Sequence, residues 1–87
     1  MTFDEAKRAG KVRVPIIVTG ATAFKIGTIK FRRIRSVRRD FDPYGRSEDL
    51  VELVDMKAGN SVLICPLSDI DFAPDCPEIL KKRVLEA

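Results

Sequence analysis

Asp69 and Asp71 flank Ile70, and in an extended segment their two carboxylates would share one face, the minimum equipment for acid–base chemistry. Nothing in the chain assists them. It contains no histidine, which removes the usual general base, the commonest zinc ligand and the side chain that titrates near neutrality. Ser68 and Asp69 therefore read as caps for backbone donors beside a helical turn, and no catalytic residue is assigned. Cys65 and Cys76 are too few to close a zinc site without other soft ligands. Cys65, in the apolar run Ser-Val-Leu-Ile-Cys, is expected to be buried, reduced and unreactive, and Cys76, beside Pro77, more accessible. In Asp-Phe-Asp-Pro-Tyr-Gly, Asp40, Asp42 and Gly45 match positions one, three and six of an EF-hand loop. Tyr44 and Val51 fall where that loop needs oxygen ligands, so the segment reads as a turn and no metal is assigned.

Val-Thr-Gly-Ala-Thr-Ala-Phe-Lys-Ile-Gly, residues 18–27, follows the apolar run Pro-Ile-Ile-Val. It is similar to the Val-Thr-Gly-Ala-Thr-Gly-Phe-Ile-Gly opening of short-chain dehydrogenases and related epimerases. In that family a middle glycine admits the pyrophosphate at a helix N-terminus. Here Ala23 stands at the glycine position, and Lys25 separates Phe24 from Ile26. The chain has roughly a third of the length that two mononucleotide-binding halves need. Lys25 with Gly27-Thr28 also lacks the Gly-Lys-Ser/Thr order of a P-loop. The expectation is a loop between two strands and no cofactor.

The strongest unusual signal is positive charge. Between Lys25 and Arg46 stand eight cations and two acids, a balance of +6, which leaves −3 for the rest of a chain whose total is +3. Lys30, Arg32, Arg33, Arg35, Arg38, Arg39 and Arg46, with Tyr44 and the nearby rings of Phe31 and Phe41, would suit a nucleic-acid-binding face. Arginine pairs with phosphates and rings stack on bases. The competing reading uses the next segment, Glu-Asp-Leu-Val-Glu-Leu-Val-Asp. Its Glu48, Asp49, Glu52 and Asp55 would lie in register to pair with those arginines across two strands.

These residues need a scaffold, and 87 residues supply one domain. A chain of that size buries roughly 60–65% of its unfolded surface, enough to fold alone with little margin. No run approaches the ~18 apolar residues of a membrane span. Met-Thr-Phe-Asp-Glu-Ala-Lys-Arg lacks the apolar core of a signal peptide, so the expected compartment is the cytoplasm, with both thiols free.

Thr2 with Glu5 forms a capping box opening a helix over 1–10, with Phe3 and Ala6 on its apolar face and Gly10 as its stop. Val12, Val14 and Ile16 alternate with Lys11, Arg13 and Pro15, the period of a half-buried strand with an edge or bulge at the proline. Residues 28–41 are β-branched and read as a strand with a bulge near Arg32 and Arg33, although Ile26, Ile34, Val37 and Phe41 also fit a helical face. Two apolar runs, Leu-Val-Glu-Leu-Val-Asp-Met and Ser-Val-Leu-Ile-Cys-Pro, are joined at Gly59-Asn60 as a tight hairpin. Pro-Leu-Ser-Asp-Ile-Asp gives one helical turn, and Asp71-Phe72-Ala73 a final strand. The tail is a helix with Pro77 at its first position and Ile79, Leu80, Val84 and Leu85 as its stripe.

Lys-Val-Arg-Val, Ile-Gly-Thr-Ile-Lys-Phe, Leu-Val-Glu-Leu-Val-Asp, Ser-Val-Leu-Ile-Cys and Pro-Leu-Ser-Asp-Ile-Asp-Phe together resemble the strand pattern of Src-homology-3-like (SH3-like) small barrels. The resemblance implies a mainly β (α+β) fold, a small, strongly bent barrel of four or five strands. In it, residues 11–73 form the barrel, with short helices at 1–10 and 74–87. Barrels of this kind occur in RNA-binding, ribosomal, redox-accessory and mobile-gene-cassette proteins, so the pattern carries no site residues with it. The expected function is a non-catalytic binding or assembly module for a protein partner or a second copy, with nucleic acid as the alternative ligand and no membrane role.

Overall fold

The computed structural model describes residues 1–27, 31–57 and 61–86. Its first helix, α1 (Phe3–Val12), opens on the expected capping box: the Glu5 N–H donates to Thr2 Oγ1 at 3.2 Å, and the Thr2 N–H donates to Glu5 Oε1 at 2.7 Å. The helix does not stop at Gly10. It runs on to Val12 and ends at Arg13, whose φ of 61° supplies the left-handed cap. Gly10 has a different task, since a Cβ there would lie 3.2 Å from the Ile34 carbonyl oxygen. The missing side chain lets α1 lie close against the sheet.

The first strand is correspondingly shorter than the alternation predicts. β1 is Ile16–Val18 only, because Val12 belongs to α1 and Val14 is buried in the connection. Pro15 stays outside the strand, where its carbonyl accepts the Ala73 N–H at 3.0 Å. Residues 18–27, expected as a loop, contain a second helix, α2 (Gly20–Ile26). Three further strands follow: β2 (Arg32–Phe41), β3 (Ser47–Asp55) and β4 (Leu63–Pro66). A 3-10 turn at Leu67–Asp69 leads into β5 (Ile70–Phe72), and α3 (Glu78–Leu85) ends the chain. The strand reading of the arginine-rich segment holds for Arg32–Phe41. Ile29, Lys30 and the Gly59-Asn60 hairpin lie outside the described residues.

All strand pairs are antiparallel, in the order β4-β3-β2-β1-β5. The result is an α+β domain, a five-stranded sheet with three helices. β4 and β5 do not pair with each other, so the sheet has two edges. The bulge in β2 falls at Arg35, between the pairs Ile34–Leu53 and Ser36–Glu52, rather than at Arg32 and Arg33. It works as such an insertion should: Ile34 and Val37, of opposite parity, reach one face opposite Leu53 and Val51.

That face meets α1. Ala6 and Ala9 from α1, Ile16, Ile34, Val51, Leu53, Cys65, Leu67, Ile70 and Val84 form one apolar cluster. The small residues on α1 permit the same close approach as Gly10. α3 packs beside α1 through Val84 and Leu80, while Ile79 and Leu85 stand in solvent, so half of the expected stripe is not core. Arg8 Nε donates to the Val84 carbonyl at 2.6 Å and ties the two terminal helices together. Among the described residues no helix is long and apolar enough to cross a membrane.

Candidate interaction surface

α2 explains the nucleotide-like motif. Its N-terminus, where a pyrophosphate would sit in the dehydrogenase pattern, is filled by the chain's own Asp69. Asp69 Oδ2 accepts the Thr22 hydroxyl at 2.7 Å and the Thr22 N–H at 3.3 Å, and the Asp69 carbonyl accepts the Thr19 N–H at 2.7 Å. Gly20, at φ 64°, is obligatory on two counts, because a Cβ there would also meet Asp69 Oδ1 at 2.9 Å. A carboxylate already in place satisfies the helix end and repels a second anion. Asp69 thus bonds backbone in a distant helix rather than in its own helical turn, which has no side-chain cap, and Asp71 Oδ1 accepts its neighbour's N–H, from Phe72, at 2.7 Å.

The acidic turn is accounted for in the same way. Asp42 Oδ1 accepts the N–H groups of Tyr44 and Arg46 at 2.9 and 2.8 Å, and Oδ2 accepts Arg46 Nε at 2.7 Å. The Arg46 and Tyr44 bonds hold its carboxyl below the usual range. Both cysteines are free and buried. Cys76 is as enclosed as Cys65, at 6% and 3% exposed, contrary to the expectation of an accessible thiol at the helix entry. Burial raises both thiols, Cys65 to about 11, with the Asp69 carboxylate adding to the effect there.

The arginines do not form one face. Opposed residues on paired strands share a side of the sheet. The register therefore places Arg32 and Arg39 on the α1 side, with Ile34 and Val37, and Arg33 and Arg38 on the other. Arg39 lies over the Phe3 ring at 4.8 Å and makes two bonds to Asp49, Nε to Oδ1 at 2.7 Å and Nη2 to Oδ2 at 3.2 Å. Those bonds lower the Asp49 carboxyl and raise the guanidinium. Arg35 and Arg38 both approach Glu52, at 4.0 and 3.9 Å, and Arg38 also approaches Asp40 at 3.5 Å. Arg46 is held by Asp42 and lies 5.8 Å from the Tyr44 ring. Arg33 sits half-buried opposite Val54. Arg32 is also half-buried, across from Asp55, and its Nη1 is buried without a hydrogen-bond partner. Lys30 lies outside the described residues. The cross-strand ladder to β3 is therefore present through Asp49 and Glu52, whereas Glu48 stands opposite another acid, Asp40.

What composition could not show is where the rings go. The chain has five phenylalanines and one tyrosine, and none of the six is buried. Phe24 on α2 is 90% exposed, Tyr44 85% and Phe41 71%. Phe31 lines an open groove of about 670 Å³ with Pro15, Met56 and Pro77, where Asp55, Lys57 and Asp75 supply the polar contacts. Phe41 and Tyr44 stand at the tip of the β2–β3 hairpin, and their neighbours in sequence gave a partial signal. Phe24 was hidden in a segment read as loop. Compared with family models, curated proteins and solved structures, the chain matches none.

Proposed function

We propose that this chain is a non-catalytic binding and assembly module whose partner is a protein, built as an SH3-like small barrel left open between β4 and β5. A meander of four strands, a fifth returning to pair with the first, and a 3-10 turn immediately before that fifth strand support the fold reading. The observation that carries the function is the outward placement of four of the six aromatic rings, Phe24, Phe31, Phe41 and Tyr44, while Phe3 and Phe72 pack half-buried against the core. A small domain gains most from burying its largest apolar side chains, and here the core is made of Ala, Val, Ile, Leu and Cys instead. Rings left in water are the residues that anchor protein interfaces. The two buried free thiols suit a reducing, cytoplasmic setting.

The nucleic-acid alternative is weakened by the pairing of Arg35, Arg38, Arg39 and Arg46 with acids and by their division between two faces. Two measurements test the choice. Titration with random single-stranded RNA and DNA at two salt concentrations should show no salt-sensitive binding. A slope of about −0.7 per phosphate contact would instead establish the nucleic-acid reading. Crosslinking of the tagged chain in the cells that express it should capture a defined protein species that disappears when Phe41 and Tyr44 are both replaced by serine. Capture that ignores those rings would overturn the assignment of the binding surface.

A further inference from the structure

The two edges of the sheet are guarded differently. β5 is three residues long, carries exposed Asp71 at its centre, and is followed by Pro74. Short length, charge and proline are the devices by which sheets avoid pairing with other chains. β4 is only one residue longer and holds Pro66, but it lacks the charge. Residues 61–67, Ser-Val-Leu-Ile-Cys-Pro-Leu, contain no charge, and Val62 and Ile64 are 49% and 47% exposed. Leu63 and Cys65 point to the core opposite Leu53 and Val51, so Ile64 and its neighbours two residues away stand on the outer face.

We propose that the free edge of β4 pairs antiparallel with β4 of a second copy of this chain, about a twofold axis at Ile64. The proposal rests on the binding-module reading and specifies one of its partners. Pro66 sets the geometry. A proline within a strand sits with its nitrogen turned away from the ladder, so the N–H and C=O groups of Ile64, which shares its parity, also point outward. Val62, one residue before β4, would join the row as the strand extends on pairing. Laid against its copy, each Ile64 exchanges both backbone bonds with the other. Each Val62 N–H meets the Pro66 carbonyl opposite, and the absent proline donor is missing only at the ends. The exposed row Val62–Ile64–Pro66 becomes its own mate, isoleucine against isoleucine and valine against proline.

Charge does not oppose a copy at the centre of this edge. Residues 61–67 carry none, and Glu52, the cross-strand neighbour of Ile64, is met by Arg35 and Arg38. Glu48, opposite Asp40, flanks only the Pro66 end. Two strands this short bury well under the ~1,200 Å² of a standard interface, so the dimer exchanges reversibly with the monomer.

Disulfide trapping reads the register directly. In Ile64→Cys the two new thiols face each other across the axis, with Cα atoms about 5.5 Å apart, within bridging range. In Val62→Cys they lie about 13 Å apart along the strands, beyond it. Under mild oxidation Ile64→Cys should run as a covalent dimer, whereas Val62→Cys and the wild-type chain, with its buried thiols, should not. In sedimentation equilibrium the wild type should rise from the mass of one chain towards two with concentration, and Ile64→Lys should remain at one. A wild type that stays at one chain, or equal trapping by both cysteine variants, overturns the proposal. A dimer that survives in Ile64→Lys also overturns it. If Ile64→Lys does not fold, the cysteine pair decides alone. Loss of the self-dimer while capture through Phe41 and Tyr44 persists defeats only this proposal; loss of both defeats the binding-module reading too.

Discussion

The root and the tip of the β2–β3 hairpin are built from different physics, although both belong to the same pair of strands. At the root, Ile34 faces Leu53 and α1 lies across them, with Ala6, Ala9 and Gly10 small enough for close contact. At the tip, beyond Val37, there is little apolar cover. Arg39 is clamped by Asp49, Arg46 by Asp42, and the rings of Phe41 and Tyr44 are in water. Burial of apolar surface holds the root, and exposed ion pairs hold the tip in shape without contributing much to stability. The difference shows how a domain this small presents side chains to a partner: one end of a continuous hairpin is anchored, and the other carries what it binds with.

The comparison is broken first at the root. Ile34→Ala empties a site that is 2% exposed, and should lower the unfolding free energy by about 2–5 kcal/mol, measured by urea denaturation. An effect no larger than that of a surface substitution would mean that α1 does not anchor the hairpin. Gly10→Val is the next largest. Its Cβ must meet the Ile34 carbonyl oxygen at 3.2 Å, so α1 should be pushed off β2 at a cost of about 1–3 kcal/mol. A stabilised variant would show instead that the helix rides freely on the sheet.

The smallest change belongs to the tip. Arg39 holds the Asp49 carboxyl below its usual range in the folded protein. A lowered folded pKa gives stability that is present above the unfolded value and is lost as pH falls through the folded one. Asp49→Asn should therefore lower stability slightly near neutral pH, with the difference from the wild type shrinking to nothing as pH falls through the folded pKa, so that the acid limb is slightly flatter. Added salt should erase even that difference. A loss as large as that in Ile34→Ala would end the distinction between root and tip.

The sequence revealed the parts whose cause is local. The Thr2–Glu5 box and the Asp42 turn act within a few residues, and each is where its chemistry put it. Features set by distant partners were misread. Gly10 has the composition of a helix stop, but its reason is the carbonyl of Ile34 on another element. The bulge could be inferred from the parity of Ile34 and Val37, yet its position at Arg35 depends on the register with β3. The Val-Thr-Gly-Ala-Thr segment lacks an apolar period and so looked like loop; what makes it helical is a carboxylate 47 residues away. Of the candidate surface, the arginines and their acidic partners were legible as a charge pattern. Alternation alone splits Arg32 from Arg33 and Arg38 from Arg39, but which of them share a face was not legible, because one inserted residue reverses the parity. The exposure of Phe24 was also hidden, since sequence alone gives no reason for a domain to leave that ring out of its core.

α2 has no buried residue, and Asp69 holds its first turn. A segment with no share in the apolar cluster adds nothing to cooperative unfolding. The free energy at which its amides open to solvent is then its own, set by one carboxylate and by helix propensity. The sheet and α1 can remain native while it opens. Unfolding curves that follow the core will not register that event, whereas hydrogen exchange, amide by amide, will separate the two. The expected outcome is exchange at the α2 amides, that of Phe24 included, at a lower free energy than at those of β2 and β3.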